Sequence, residues 1–252
     1  MLTAQRTMKD ITKTAGIIII GNEILTGKVQ DINSFYLTSE LRALGITVIR
    51  ISIIPDEVET IGIEAVSFSA DYDYVFTTGG VGPTHDDVTM AGIADGFGVE
   101  LVSDPDIREA LSEKYKYPLN RPMTKMTEVP EGAEAIFSDT MIFPIVMFRN
   151  IFVFPGIPEH LKKKFPFIRD RLRDGAFYLK RIFLNTDESE IAEILNSVVS
   201  RNSDVMIGSY PVTGKAEIRV LITVESRSEN SLRVAFDELI RNLPVDNIVR
   251  TE

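Results

Sequence analysis

The stretch Thr77-Thr78-Gly79-Gly80-Val81-Gly82-Pro83-Thr84-His85-Asp86-Asp87-Val88-Thr89 constrains this chain more than any other. An apolar run from Tyr72 to Phe76 leads into it, and a helix-like stretch from Val88 to Phe97 leaves it. It therefore reads as a strand, a glycine-rich turn and a helix. Glycines let the backbone reach positive φ and let a ligand approach the main chain closely. The N-terminus of the following helix offers N–H groups without intrahelical partners, which suit an anion. Thr84, Asp86, Asp87 and Thr89 crowd the same spot, and carboxylates beside a phosphate repel it unless a cation lies between them. Thr84 also fits an N-cap, with Asp87 three residues on closing a capping box. Both readings can hold, because the glycines need a reason of their own.

Around this turn, short β-branched runs alternate with helical patterns. Ala15 to Ile20 is too short for a helix and reads as a buried strand, and Ile46 to Ile54, again apolar and β-branched, reads as another strand. Between them Ile32, Phe35, Tyr36, Leu41 and Leu44 recur at helical spacing, with Asp31 as N-cap and Gly45 as stop. Ile61, Ala65 and Phe68 mark the next helix. The alternation predicts a three-layer, doubly wound, mostly parallel α/β sheet. Further on, Asp106 to Tyr115 reads as a helix and Pro118 to Pro130 as a polar surface crossing. Phe143 to Met147 and Ile151 to Phe154 read as a hairpin turning at Arg149-Asn150, where no glycine stands. A helix is expected from Pro158 to Leu172, its Lys162-Lys163-Lys164 a solvated face and its His160 structural. Asp174-Gly175 is the expected boundary. It separates a domain over residues 1–175, whose first 14 form a tail, from a small α+β module over 176–252 in β-α-β-β-α-β order, ferredoxin- or KH-like. That module has no Gly-x-x-Gly loop and no clear basic cluster, so it reads as a packing or dimerisation module.

Composition removes several function classes. Hydrophobic residues make up 44% of the 252, which allows a substantial core, and the net charge of −10 argues against binding nucleic acid or anionic membranes. There is no cysteine, which excludes disulfides, thiolate metal sites and cysteine nucleophiles. No apolar run approaches the roughly 20 residues of a membrane helix, and residues 1–14 lack the apolar core of a signal peptide. A cytoplasmic, soluble protein is expected. No Lys-Ser/Thr pair follows the glycines, so the turn is not a Walker A loop; Gly-x-Gly-x-x-Gly and Gly-x-Ser-x-Gly are missing as well.

In a doubly wound sheet, ligands bind beyond the carboxyl ends of the strands. Gly21 to Gly27, Pro55 to Glu57, Thr78 to Asp87 and Pro155 to Pro158 each follow an expected strand and would meet at one crevice. That crevice would gather Glu23, Asp56, Asp86 and Asp87, which suit a hard cation, Mg²⁺ before Zn²⁺. Such a metal would bridge phosphate oxygens and orient a water. Gly79, Gly80 and Gly82 would let main-chain N–H groups reach the phosphates, and the hydroxyls of Thr84 and Thr89 would add contacts. The competing reading, that each acid only caps a helix, is preferred for Glu57.

Thr78-Gly79-Gly80-Val81-Gly82-Pro83-Thr84 with Asp86-Asp87-Val88-Thr89 resembles the signature of the MoaB/Mog-type molybdopterin-binding domain family. Gly21-Asn22-Glu23-Ile24-Leu25-Thr26-Gly27 with Asn33 downstream resembles its CinA-like branch, and Pro155-Gly156-Ile157-Pro158 that family's Pro-Gly-x-Pro segment. The stretches Gly16 to Glu57 and Phe143 to Glu159 are most similar to the molybdopterin-binding-like domain at the front of FAD synthases. Gly208-Ser209-Tyr210-Pro211 resembles part of the small module that follows in CinA-like proteins. The resemblance adds Asn33, Pro155 and Gly156 to the ligand-facing set and implies catalytic roles for Asp56 and Asp87. Three activities are implied: adenylation of molybdopterin with ATP and Mg²⁺, metal-dependent hydrolysis of ADP-ribose, and hydrolysis of FAD. The expectation is therefore a nucleotide pyrophosphatase using Mg²⁺, or Mn²⁺ or Co²⁺. A molybdopterin-adenylylating enzyme and a non-catalytic nucleotide or pterin sensor are the alternatives. The resemblance also implies a homo-oligomer, dimer or trimer.

Overall fold

The structure, a computed structural model, describes residues 12–116, 118–138, 141, 143–214 and 217–252. The expected tail lies outside the described residues as far as residue 11, and Thr14 already opens the first strand. The chain divides into two units, of which Thr12–Asp174 is one and Gly175–Glu252 lies in the other.

In the first unit, β1 (Thr14–Ile20), β2 (Thr47–Ile54) and β3 (Tyr74–Thr78) are joined through three helices: α1 (Asn22–Leu25), α2 (Asn33–Ala43) and α3 (Val58–Asp71). After the glycine turn come α4 (Thr89–Phe97), β4 (Leu101–Ser103), α5 (Pro105–Tyr115), α6 (Arg121–Lys125), β5 (Glu128–Pro130) and β6 (Glu134–Ile136). The hairpin β7 (Ile145–Phe148) and β8 (Ile151–Phe154) follows, then α7 (Pro158–Lys164), a 3-10 turn (Phe165–Ile168) and α8 (Arg169–Leu172). Among the described residues the main sheet has the order β2-β1-β3-β8-β7-β6, parallel across its first four strands and antiparallel thereafter.

Two cores flank this sheet, as a doubly wound arrangement requires. On one side α2, α7 and α8 pack Leu37, Leu41, Leu161 and Leu172 on Ile17, Ile19 and Phe76. On the other, α3, α4 and α5 set Ile61, Phe68, Ile93 and Ile107 against Ile18, Ile20 and Val153. β1 alternates between the two, which is why its apolar run is continuous. The N-cap of α2 is Ile32, not Asp31 as expected; Asp31 stands one residue earlier and still accepts from the N–H groups of Asn33 (2.9 Å) and Ser34 (3.1 Å).

Some expectations are corrected. The helix over 158–172 is broken, because Pro166 has no N–H to donate and the chain tightens to a 3-10 turn there. The crossing from Pro118 to Pro130 carries α6 and β5, and β5 pairs with β4 in a small antiparallel sheet. Gly21 to Gly27 contains the single turn of α1. The hairpin turns as expected, with Arg149 at φ 54° in place of a glycine and its guanidinium 4.4 Å from the Phe97 ring.

The second unit contains β9 (Tyr178–Leu184), α9 (Glu188–Arg201), β10 (Met206–Pro211), β11 (Val220–Ser226), α10 (Glu229–Asn242) and β12 (Ile248–Thr251). Its strands lie in the order β10-β11-β9-β12, with antiparallel neighbours, and β10 therefore runs parallel to β9 with β11 between them. This is the split βαβ arrangement. Its core is its own: Ile182, Ile191, Val198, Ile222, Phe236 and Leu239.

Candidate functional site

β2, β1, β3 and β8 are neighbours and parallel, so the four loops that follow them leave one edge of the sheet. The chain passes from β1 outward to β2 and then back across β1 to β3, which puts a reversal of strand order at that edge. Hydrogen bonds tie the loops together. The N–H of Gly21 donates to Ile54 O (3.1 Å), that of Asn22 to Asp56 Oδ2 (2.8 Å), and that of Gly79 to Phe154 O (3.1 Å). Asn33 is buried, and its Nδ2 donates both to Thr78 Oγ1 (2.9 Å) and to Gly156 O (2.7 Å). Thr78 in turn donates to Pro155 O at 3.0 Å. A carbonyl only accepts, so the Gly156 contact orients the amide. Asn33 Oδ1 has no partner among the described residues. Asn33 thus clamps the loops after β3 and β8, and Thr78, which the sequence reading did not single out, is part of that clamp.

The glycines of the turn have three separate reasons. Gly79 has φ 108°, and a Cβ there would stand 2.0 Å from Ile20 O. Gly80 has φ 62° and leaves room for the Thr89 hydroxyl. At Gly82 a Cβ would meet the Asp87 carboxylate at 2.6 Å. The Thr89 hydroxyl is buried and donates to Gly79 O (2.8 Å), so it braces the turn from beneath. Helix α4 begins at Thr89 with no side-chain cap, so the box expected at Thr84 closes the turn and not the helix. Thr84 N–H donates to Asp87 Oδ2 (2.7 Å), and its hydroxyl lies against both Asp86 and Asp87. The hydrogen bond from that hydroxyl is the leading cause that holds the exposed Asp86 carboxyl below its ordinary pKa. Among the described residues no hydrogen bond within the protein engages the N–H groups of Gly80, Val81 or Gly82. Three successive main-chain donors are thus without a partner among the described residues.

These glycines line a cleft of about 760 Å³, together with Pro155 and Gly156. Glu23 and Asp87 are the carboxylates among its lining residues; Lys114, His160, Lys163 and Lys164 are its basic groups. Leu111, Tyr115, Met126, Met141 and Phe143 form an apolar wall. The set of four acids expected to hold a metal is therefore narrowed. Asp56 is engaged at Asn22 and Asp86 is exposed beside Thr84, and neither lines the cleft. Among the described residues no group of three or more acids or histidines is placed to hold a metal ion. Mg²⁺ commonly takes one or two protein carboxylates, keeps several waters and draws the rest of its ligands from phosphates, and Glu23 and Asp87 are the acids of this lining that could be offered to it.

Lys164 departs furthest from expectation. It is 8% exposed, not solvated, and its Nζ donates to Phe143 O and to Pro144 O (2.8 Å). Burial pushes its pKa down to about 8. His160, expected to be structural, is exposed and lines the cleft. The helical spacing of His160, Lys163 and Lys164 placed them on one face, but the sequence carried no sign of which face met the cleft.

Residues 16–174 match the family described as a probable molybdopterin binding domain, and residues 176–252 match the FAD synthase middle domain. A protein of Archaeoglobus fulgidus is 36% identical over 229 residues, covering 90% of this chain and 97% of its own. The probable FAD synthase of Caenorhabditis briggsae is 31% identical over 260 residues, and this chain spans half of its length. Among solved structures, CinA of Thermoplasma acidophilum, whose function is described as unknown, is 26% identical with a TM-score of 0.60, covering 64% of this chain and 98% of that one. No helix among the described residues is long and apolar enough to cross a membrane. The fold, the glycine turn and these matches agree: the chain belongs to the molybdopterin-binding-type domain family, with relatives among CinA-like proteins and FAD synthases.

Proposed function

We propose that this protein hydrolyses the phosphoanhydride of an adenine dinucleotide such as ADP-ribose or FAD, using a divalent metal, Mg²⁺ first and Mn²⁺ or Co²⁺ as substitutes. The observation that carries the reading is the free donor row of Gly80, Val81 and Gly82 beside Asp87 and Glu23, in a cleft that also has an apolar wall. The donors hold phosphate oxygens. The wall takes a flat ring system. Asp87 and Glu23 would hold the ion, which when bound would supply charge neutralisation and an activated water. Asp56 acts one step away, by keeping α1 and Glu23 in place through Asn22. A second reading is adenylylation of molybdopterin, which the family description supports as far as molybdopterin binding.

Incubation with ADP-ribose or FAD and each metal is expected to release AMP. Asp87→Ala is expected to lower turnover at least about a hundredfold while the far-ultraviolet circular dichroism stays unchanged. AMP release that survives Asp87→Ala would remove this assignment. Diphosphate release from ATP that depends on molybdopterin, with the AMP transferred to the pterin and no AMP released from ADP-ribose or FAD, would favour the second reading.

A further inference from the structure

Lys164 is a buried cation without a counter-ion. Among the described residues no carboxylate pairs with it; its Nζ donates to the main-chain oxygens of Phe143 and Pro144 and stands 5.2 Å from the centroid of the Phe143 ring. An ammonium has three N–H donors, so one remains. A buried charge left unpaired is costly, and proteins keep one where something compensates it. Lys164 lies on the wall of the same cleft as the free donors of Gly80 to Gly82. Lys162 and Lys163 on the same helix are exposed, so their charge is spread into solvent, whereas that of Lys164 is confined to this wall.

We propose that Lys164 is an anion-binding group of this cleft, giving its remaining N–H to an oxygen of a phosphate that the glycine turn holds from another side. The carbonyls of Phe143 and Pro144 aim the ammonium, and the anion completes its shell. This rests on the cleft being a phosphate site, and not on hydrolysis taking place there. It has a consequence that a purely structural lysine would not have. Burial lowers the pKa of the free ammonium to about 8, so it loses its proton at a pH where an exposed lysine keeps it. An anion beside it favours the charged form, so binding draws a proton from solution. The other titratable groups facing the cleft are Glu23, Asp87, Lys114, Tyr115, His160 and Lys163.

The test is calorimetric titration at pH 8 of the full chain, metal chelated, with sulfate and separately with ADP-ribose. Neither probe carries a group that titrates near pH 8. Heats are compared in two buffers of different ionisation enthalpy. The wild type is expected to take up a measurable fraction of a proton per site. Lys164→Arg is expected to bind with no uptake, and Lys164→Met to lose about tenfold to a hundredfold in affinity. Circular dichroism checks that both variants are folded, and the arginine variant decides the matter if the methionine variant is not. Equal wild-type heats in both buffers, uptake that persists in Lys164→Arg, or no binding of either probe would overturn the proposal. Proton uptake on sulfate binding with no AMP release under any metal would sink the hydrolase reading and leave Lys164 standing.

Discussion

Gly79 and Asn33 hold the functional edge at the scale of single residues. Each does so by letting main chains approach. Gly79 sits in a positive-φ conformation against Ile20 O, and Gly156 lies against Gly79 in turn, with its Cβ position 3.3 Å from the Gly79 Cα. A methyl group at 79 meets both a backbone conformation that L-residues avoid and the carbonyl of Ile20, a residue held in the β1–β2 register opposite Ile54. Gly79→Ala is therefore expected to destabilise the first unit by about 2–3 kcal/mol, read as a lowered midpoint in urea. A midpoint unchanged from wild type would mean the turn rearranges freely. Asn33 was expected to face the ligand. Its burial and two donated bonds make it the clamp behind the ligand site, a distinction that spacing in a sequence does not contain.

Among the elements, the β7–β8 hairpin shows how a turn is specified without glycine. Arg149 takes the left-handed conformation, and Asn150 supplies the ties. Its Nδ2 donates to Ser69 O (3.1 Å) and Tyr72 O (2.9 Å), which would otherwise be unpaired carbonyls at the end of α3. Its own Oδ1 accepts from the Ser69 hydroxyl at 2.6 Å. Asn150→Ala removes these at once, and a loss of about 2–3 kcal/mol is expected, measured by thermal unfolding. Asn150→Asp restores the acceptor but not the donor, and is expected to recover only part of it. The hairpin was legible because two apolar runs flanked a short polar pair. Its role as the C-terminal cap of α3 was not, because Ser69 and Asn150 are 81 residues apart.

At the scale of the molecule, acid stability of the first unit is tied to one corner. Asp73 receives Lys13 Nζ at 2.7 Å and the Thr14 N–H at 2.8 Å, joining the start of β1 to the turn before β3. Burial alone would raise its pKa, but the hydrogen bonds from Lys13 and Thr14 outweigh it and the carboxyl lies below its ordinary 3.8. The hydrogen bond to Asp73 and its charge raise Lys13 above 10.5. A depressed carboxyl contributes stability in full above pH 3.8 and loses it as pH falls through the lower folded value. A raised lysine contributes below pH 10.5 and loses it as pH climbs past the higher folded value. Asp73→Asn is accordingly expected to cost roughly 0.5–1 kcal/mol at pH 7 and to shrink the fall in stability below pH 4. A variant whose acid limb matches wild type would place the pH dependence elsewhere. The acidic whole, with a net charge of −10, nevertheless presents Lys114, Lys163 and Lys164 to one cleft, so local placement and not the overall field sets what can bind.

The sequence by itself determined the alternation of strands and helices, the split βαβ order of the second unit, and the glycine turn with its flanking acids. These follow from local periods and from backbone freedom, which are properties of neighbouring residues. Only the tertiary structure decided which acids reach the cleft, why Thr89 and Asn33 brace it from behind, and that Lys164 is buried beside it. Each of those depends on contacts between residues far apart in the chain, and a charge run on a helix looks the same in sequence whichever face the fold turns inward.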